Sequence, residues 1–456
     1  MLVPLGTCCV ASAARAAGHQ VRLLDLCFER HPDRALEETA RRLRPDVVGV
    51  SIRNLDNSDY ESPRSYLPDL QQMIKACRSA WNAQVVIGGP AVSHAPSAVA
   101  RRLDVSIAVS GEGEMSFPAI LSAMETGADV STLAGVTALR DDRVVQVEPA
   151  PVTDLAGLPD PEPWRWLDLR RYCSYDAALP VQTKRGCAFR CSYCCYPLLE
   201  GRSWRLREPG WVAEQVDSGR AAGFRAVDFV DSVFGVPEAH AAACCEAIAR
   251  RSPDLHLTTL ELNPLGCVPE VIDAMNGAGF SAVGVTVESG SDEMLDRLCK
   301  GFGTADLHRA AEALRKLDAQ KLWIFMIGAP GETEATVAQT ARFIEQLPHS
   351  DLVLVTHGIR VLPGTALRDS LVAEGFVQPD DELIDPVFYY SPHLSLQRAR
   401  DILSDIAFPS ANMVTLTDSG HRLAPVVQRV ATLLGARPPY WRHIPLINRA
   451  RRLLRV

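Results

Sequence analysis

The 456-residue chain has no run of about eighteen apolar residues, the length that a membrane-crossing helix needs. Its opening, MLVPLGTCCVASAARAAGHQ, lacks the basic stretch and compact apolar stretch of a secretory signal, so the cytoplasm is the expected compartment. Positive charge is in the minority. Lys+Arg 47 against Asp+Glu 55 leaves a formal charge of -8, which argues against the concentrated basic surface that nucleic acid requires and for a small-molecule partner. Also missing are internal repeats, low-complexity tracts, a serine nucleophile elbow, a P-loop and paired zinc-type cysteine motifs.

Cysteine is the residue present in excess. Thirteen thiols, an odd number, in a long chain without a secretory signal are not a disulfide framework; reduced thiols, some of them metal-binding, fit better. At this length, with 47% hydrophobic and 22% charged residues, two or three domains are expected.

Short β-branched runs at 21–25 (VRLLD), 46–52, 84–88 and 105–109 alternate with helix-like segments. This predicts a parallel, doubly wound sheet with ligands beyond the carboxyl ends of its strands. Three such ends carry unusual residues: Ser51, Arg53 and Asn54; Gly88, Gly89 and Pro90; and Ser110, Gly111, Glu112, Gly113 and Glu114. A strand before the first helix-like segment, ASAARAAG, is missing from the pattern. Residues 149–165 are proline-rich and aperiodic, which marks a linker. Beyond it, strand candidates at 227–234, 255–262, 282–289, 321–328 and 352–362 alternate with helical segments. They predict a full or partial barrel with its chemistry at the strand C-termini. The expected division is 1–140, a linker 141–178, a barrel 179–370 and a mainly helical cap 371–456.

Four cysteines fall within 187–195, in TKRGCAFRCSYCCYP. Cys187, Cys191 and Cys194 form C-x3-C-x2-C, and no second pair lies at zinc-finger distance. Three thiolates on a four-iron cluster leave one iron open for a substrate. Cys195, next to Cys194, is expected to point away from the same site.

These residues resemble the motif of the radical S-adenosylmethionine (SAM) superfamily, in which the open iron binds the amino and carboxylate groups of SAM. The resemblance extends to Asp231-Ser232-Val233-Phe234, Glu288-Ser289-Gly290-Ser291, Gly328-Ala329-Pro330-Gly331-Glu332-Thr333 and Leu362-Pro363-Gly364-Thr365. It implies that Tyr193 lies along the adenine. Glu288 and Ser289 would reach the ribose or amino-acid end, and the turn of Gly328 and Pro330 would shape the adenine side. Asp231 and Arg360 are further candidates. A [4Fe-4S] cluster and an external electron donor of the flavodoxin or ferredoxin kind are implied with them.

The first half is similar to the cobalamin-binding domain found before the barrel in the B12-dependent branch of that superfamily. Pro4-Leu5-Gly6, AGHQVRLLD, GVS, GGP and GEGE occur in its order, and the linker DLAGLPDPEPW also resembles that branch. The strand-end residues named above then become cobalamin contacts, in a Rossmann-like domain preceding a partial (β/α)6 barrel. The Asp-x-His-x-x-Gly loop of other cobalamin enzymes is absent, and His19, His31 and His94 lack its neighbours, so the lower face of cobalt is expected without histidine. Arg53 is the expected catalytic residue there, as an arginine is in a related tryptophan 2-methyltransferase. Its competing reading is a salt bridge with Asp56 or Asp59.

Cys244 and Cys245, in a helix-like stretch, read as core packing; Cys299 before Lys300, His357, Tyr389 and Tyr390 read as structural. The tail 437–456 mixes arginine with apolar residues, and a docked or solvated helix is expected over a membrane-surface one. The resemblance implies cobalamin-dependent methyl transfer from SAM to an unactivated carbon of a small, specialised metabolite. Polar methylation of an sp2 carbon such as that of indole, a B12-dependent rearrangement or cyclisation, and a cobalamin sensor are the alternatives.

Overall fold

The computed structural model describes residues 3–140, 143–251, 254–407 and 412–414. The first sheet takes its strands where β-branched runs were expected: β1 Val47–Ser51, β2 Gln84–Gly88 and β3 Ile107–Val109, paired in parallel in that order. Two further strands extend it: β4 Val136–Arg140 adds antiparallel to β3, and β5 Arg143–Gln146 adds antiparallel to β4. The sheet is therefore mixed at one edge, and it runs past residue 140, where the sequence placed the end of the first domain. Ile52, Val85, Ile87, Val99 and Ala108 fill one side of it, and Val86, Ile107, Ile120 and Val136 the other, so helices cover both faces.

The expected strand at 21–25 does not form. Among the described residues no partner strand lies beside VRLLD; Asp25 instead accepts a hydrogen bond from the Tyr172 hydroxyl at 3.0 Å, and Phe28 packs edge-on against the Tyr172 ring. The segment is thereby tied to the second domain, while the preceding helix Leu5–Ala16 packs on the helix Gly113–Thr126 of the first domain and sends Cys8 into the second domain's core.

After the linker the chain forms β6 Leu179–Val181, then a small hairpin of β7 Lys184–Arg185 with β8 Arg205–Leu206. It continues with β9 Ala226–Phe229, β10 His256–Leu262, β11 Phe280–Glu288, β12 Gln320–Ile327 and β13 Leu352–His357. All neighbours pair in parallel in the order β6-β9-β10-β11-β12-β13, with a further strand, Asn412–Val414, on β13. This is the expected partial barrel. The predicted strand 352–362 breaks at Gly358, whose φ of +70° turns the chain; the following pair, β14 Ile359–Arg360, joins β15 Phe388–Tyr389 in a separate antiparallel ribbon.

Beyond residue 371 the described part holds the helix Leu396–Ile406, which packs on Glu334–Glu345 and ties to it through Arg398 and Glu334 at 2.8 Å. The tail 437–456 lies outside the described residues. Cys244 and Cys245 are core residues, as expected. Among the described residues no helix is long and apolar enough to cross a membrane.

Candidate active site

The cysteine loop leaves the barrel through Gly186, whose φ is +87° and whose missing Cβ would stand 2.1 Å from the Ser203 carbonyl oxygen. Only glycine fits that approach. The loop is pinned by backbone bonds from Cys187 to Gly201, from Ser192 to Leu298 and from Leu367 to Ser192. Cys187 is buried, and Cys191 and Cys194 are partly so. Burial pushes all three thiols up, Cys194 to about 12, and Cys195, Cys191 and Cys187, in that order, add their charges at Cys194. Three mutually close thiols in so dry a loop need strong positive charge to ionise, which a polynuclear iron centre supplies. Among the described residues no group of three or more His, Cys, Asp or Glu side chains is placed to hold a metal ion. Cys195 caps the helix Tyr196–Leu199 and, after burial, feels Glu200 rather than Cys187 or Cys191.

Beside the loop, the Tyr193 hydroxyl donates to Glu288 Oε1 at 2.5 Å, and Lys300 Nζ lies 3.1 Å from Glu288 Oε2 and 3.3 Å from the Tyr193 oxygen. Glu288 sits at φ +63°, a left-handed conformation costly for a residue with a Cβ, where the β11–β12 register slips. Burial, and then the Glu288 charge, hold the Tyr193 phenol neutral. Lys300 was not singled out from the sequence. Its only signal was a lysine following Cys299 in the stretch after the Glu288 motif; Cys299 itself is exposed.

Ser289 turns inward, its hydroxyl 3.1 Å from Thr340 Oγ1, so its side chain builds the turn rather than facing a ligand. At Gly328, φ is +107° and a Cβ would meet the Tyr390 ring at 2.5 Å. Glu332 caps this turn, its Oε2 accepting from the Gly328 and Ala329 amides at 2.5 and 3.1 Å, with Pro330 between them in the loop. Tyr390 also stacks on Tyr60 of the first domain, ring centroids 5.3 Å apart.

Four charged candidates have internal partners. Asp231 is fully buried and accepts from Lys184 Nζ at 2.9 Å and from Thr183. Arg360 binds Asp56 at 2.8 Å and the Leu383 and Val361 carbonyls. Glu112 and Glu114 receive Arg185 at 2.9 and 2.6 Å, and Glu112 also receives Arg205 at 2.6 Å. Their carboxylates and guanidinium groups saturate one another, so these residues position the loops and their charges are not free for a cofactor.

The three strand ends of the first domain do meet. A Cβ on Gly89, φ +105°, would lie 2.6 Å from the Ile52 carbonyl oxygen, so the GGP turn closes directly on the Ser51–Asn54 loop. Ser93 accepts from the Gly111 amide at 2.9 Å and donates to Gly89, tying GGP to GEGE. Gly88 continues β2 into this turn, Pro90 follows it, and Gly113 opens the next helix. Among the described residues no hydrogen-bond partner reaches the buried Ser110 hydroxyl, an open donor in this cradle. Ser51, Arg53 and Asn54 are exposed at its edge. Asp56 belongs to Arg360 and Asp59 accepts from the Glu61 amide, so the salt bridge read as Arg53's competing role does not form with either.

Residues 181–344 match the Radical SAM superfamily model and residues 2–121 the B12-binding domain model. The chain belongs to the radical SAM superfamily, in its B12-binding branch. An iron–sulfur cluster, SAM and cobalamin are the cofactors of this pair of domains, and the thiol loop, the Tyr193–Glu288 face and the open cradle with Ser110 fit them. Relatives in the branch include an uncharacterized methyltransferase of Pyrococcus horikoshii, 26% identical over 384 residues, covering 82% of this chain and 79% of that one. The tryptophan 2-C-methyltransferase of Streptomyces laurentii is 24% identical over 441 residues, covering 82% and 72%. The structure of the radical SAM methyltransferase TsrM from Kitasatospora setae, with cobalamin and [4Fe-4S] cluster bound, shares the fold at a TM-score of 0.85. It is 21% identical and covers 100% of this chain and 96% of that one.

Proposed function

We propose that the protein is a cobalamin-dependent radical SAM methyltransferase that moves a methyl group from SAM to an unactivated carbon of a small molecule. Its work would be cytoplasmic, with electrons from a flavodoxin- or ferredoxin-like donor. The cluster and SAM supply a carbon-centred radical, and cobalamin supplies a methyl carrier. Cys187, Cys191 and Cys194 hold the cluster. Tyr193, Glu288, Gly328 and Pro330 shape the SAM side, with Lys300 added to them. Ser51, Arg53, Asn54, Gly88, Gly89, Pro90, Ser110, Gly111 and Gly113 line the corrin side.

One observation carries the reading. Arg185 opens the cysteine loop and is held by both glutamates of the corrin loop, so the two cofactor seats share one buried ion network. Chemistry that passes a group between two cofactors needs such fixed alignment. The test is anaerobic reconstitution with iron, sulfide and cobalamin, followed by SAM labelled in its methyl group. A reducible cluster by EPR, bound corrin by absorbance, and label on the corrin are expected. Absence of the cluster signal, or of label on bound corrin, sinks the proposal.

Polar methylation of an sp2 carbon is the second reading, favoured by Arg53 standing exposed and free of Asp56 and Asp59. A cation at the lower face cannot ligate cobalt. Reduced corrin in the wild type should show no nitrogen splitting by EPR, and Arg53→His should introduce it; splitting in the wild type would remove this reading. Once a substrate is in hand, product without 5'-deoxyadenosine selects the polar route.

A further inference from the structure

The end of β10 carries a bulge that re-aims one carboxylate. Thr259 pairs with Val283 and Leu262 with Val285, so three residues of β10 stand against two of β11. Leu257 and Leu262, five residues apart, consequently both enter the buried cluster formed with Val216 and Ile248 of the outer helices. An unbroken strand would put them on opposite faces. The extra residue brings Glu261 to the other face, that of Thr258, whose hydroxyl donates to Asp228 at 2.9 Å, and there Glu261 feels the Glu288 and Asp228 charges. Bulges beside active sites commonly serve this purpose.

Glu261 differs from the ion-paired acids around it. Glu288, Asp231, Glu112, Glu114 and Asp56 each have a lysine or arginine within 3.1 Å. Among the described residues no hydrogen bond or ion pair reaches the Glu261 carboxylate, and Lys300, the nearest cation to influence it, is already committed to Glu288 and Tyr193. The groups facing it are Glu288 on β11, Asp228 on β9 and Tyr196 after the cysteine loop. Tyr196, whose phenol feels the Glu261 charge, and Leu260, next to Glu261 in the chain, leave 43% and 40% of their surface exposed. Burial pushes Glu261 up to about 8, with Glu288 and Asp228 adding and Lys300 opposing; burial takes Asp228 up to about 6. This face is short of positive charge, and a cation brought to it relieves that shortage.

We propose that Glu261, with Asp228 beside it, is the substrate-gripping carboxylate, and that it selects a protonated amine whose apolar or aromatic skeleton lies on Tyr196 and Leu260. The proposal rests on the methyltransferase reading and specifies its substrate class.

The test uses the protein loaded with cluster, SAM and cobalamin, titrated calorimetrically with phenethylamine and with phenethyl alcohol, its neutral counterpart. The wild type should hold the amine at least tenfold more tightly than the alcohol. Glu261→Gln should erase that preference while keeping the alcohol affinity, and Glu261→Asp should recover part of it. Corrin and iron content of each variant confirm the loaded state. A wild type without the tenfold preference, including one that binds neither probe, overturns the proposal, and so does a preference unchanged in Glu261→Gln. Transfer of labelled methyl from SAM to corrin, measured without amine in the wild type, separates this outcome from failure of the methyltransferase reading itself.

Discussion

Arg185 donates through one nitrogen to Glu114 at 2.6 Å and through the other to Glu112 at 2.9 Å, joining positions 71 and 73 residues apart. Arg205 completes the network on the second oxygen of Glu112. All four side chains are at most a tenth exposed. Burying such charges is costly, and the network is kept only if every member stays paired. Its effect is geometric: the loop of Glu112 and Glu114 is tied to the start of the cysteine loop.

Removing the arginine should therefore harm both seats. Arg185→Met leaves Glu114 buried without a counter-charge, and about 3–5 kcal/mol of stability should be lost. Arg185→Lys keeps a charge but not the two-pronged grip, and should recover only part of it. Urea unfolding of the full chain, together with corrin retained after gel filtration, checks both. A Met variant that unfolds with the wild type and keeps its corrin would show that the network clamps nothing.

The cysteine loop makes a sharper claim. Cys187→Ala, Cys191→Ala and Cys194→Ala should each lose the cluster's absorbance and EPR signal after reconstitution, whereas Cys195→Ala should keep both, because Cys195 caps a helix on the side of Glu200. Iron and sulfide content per chain gives the count. Loss of iron in Cys195→Ala to the level of the other three would overturn the assignment.

The parts of this architecture read most directly from sequence are those encoded locally. The runs at 84–88 and 255–262 announce strands because β-branched and apolar residues cluster there, and C-x3-C-x2-C announces its loop by spacing alone. VRLLD at 21–25 has the same local character, yet pairing needs a partner strand, and Asp25 found Tyr172 instead. The hairpin of β4 and β5 escaped because all four residues of β5 are exposed and carry no buried face to set a period. Arg360 and Asp56 lie 304 residues apart, so nothing in either neighbourhood shows that they neutralise each other. Glu261 was hidden for a related reason: strand alternation would point it outward, and only the bulge turns it in.

Gly186 tests how tightly the loop is seated. A methyl group there would be driven into the Ser203 carbonyl, and its φ of +87° is strained for any residue with a side chain. Gly186→Ala should cost about 2–4 kcal/mol, from backbone strain and overpacking together, and should reduce iron incorporation in step. As a control, Gly210→Ala adds a Cβ that meets nothing within 4 Å in the helix Pro209–Ala221, and should keep or raise stability by up to about 1 kcal/mol with iron content unchanged. Equal stability of the two variants would mean that the turn at Gly186 can yield.

His94 offers a signature in pH. It lies one turn beyond the GGP loop, its Nδ1 is buried without a partner, and burial, followed by the Arg360 charge, lowers it to about 4. An unfolded chain would protonate this imidazole near its ordinary pKa of about 6.5. As pH falls below that value the unfolded state takes up the proton first, and the folded state resists until about 4. The stability contribution is therefore complete above about 6.5 and is lost as pH falls toward 4. At about 1.4 kcal/mol per pH unit, the span amounts to about 3 kcal/mol at most. Other acids titrate in the same window, so the informative quantity is a difference: urea stability of wild type minus His94→Gln, followed from pH 7.5 to about 4.5. That difference should shrink steadily as pH falls, since the variant has no proton to gain. A difference that stays flat would place His94 in contact with water or an acceptor, and would end its description as a buried neutral imidazole beside the Asp56–Arg360 bridge.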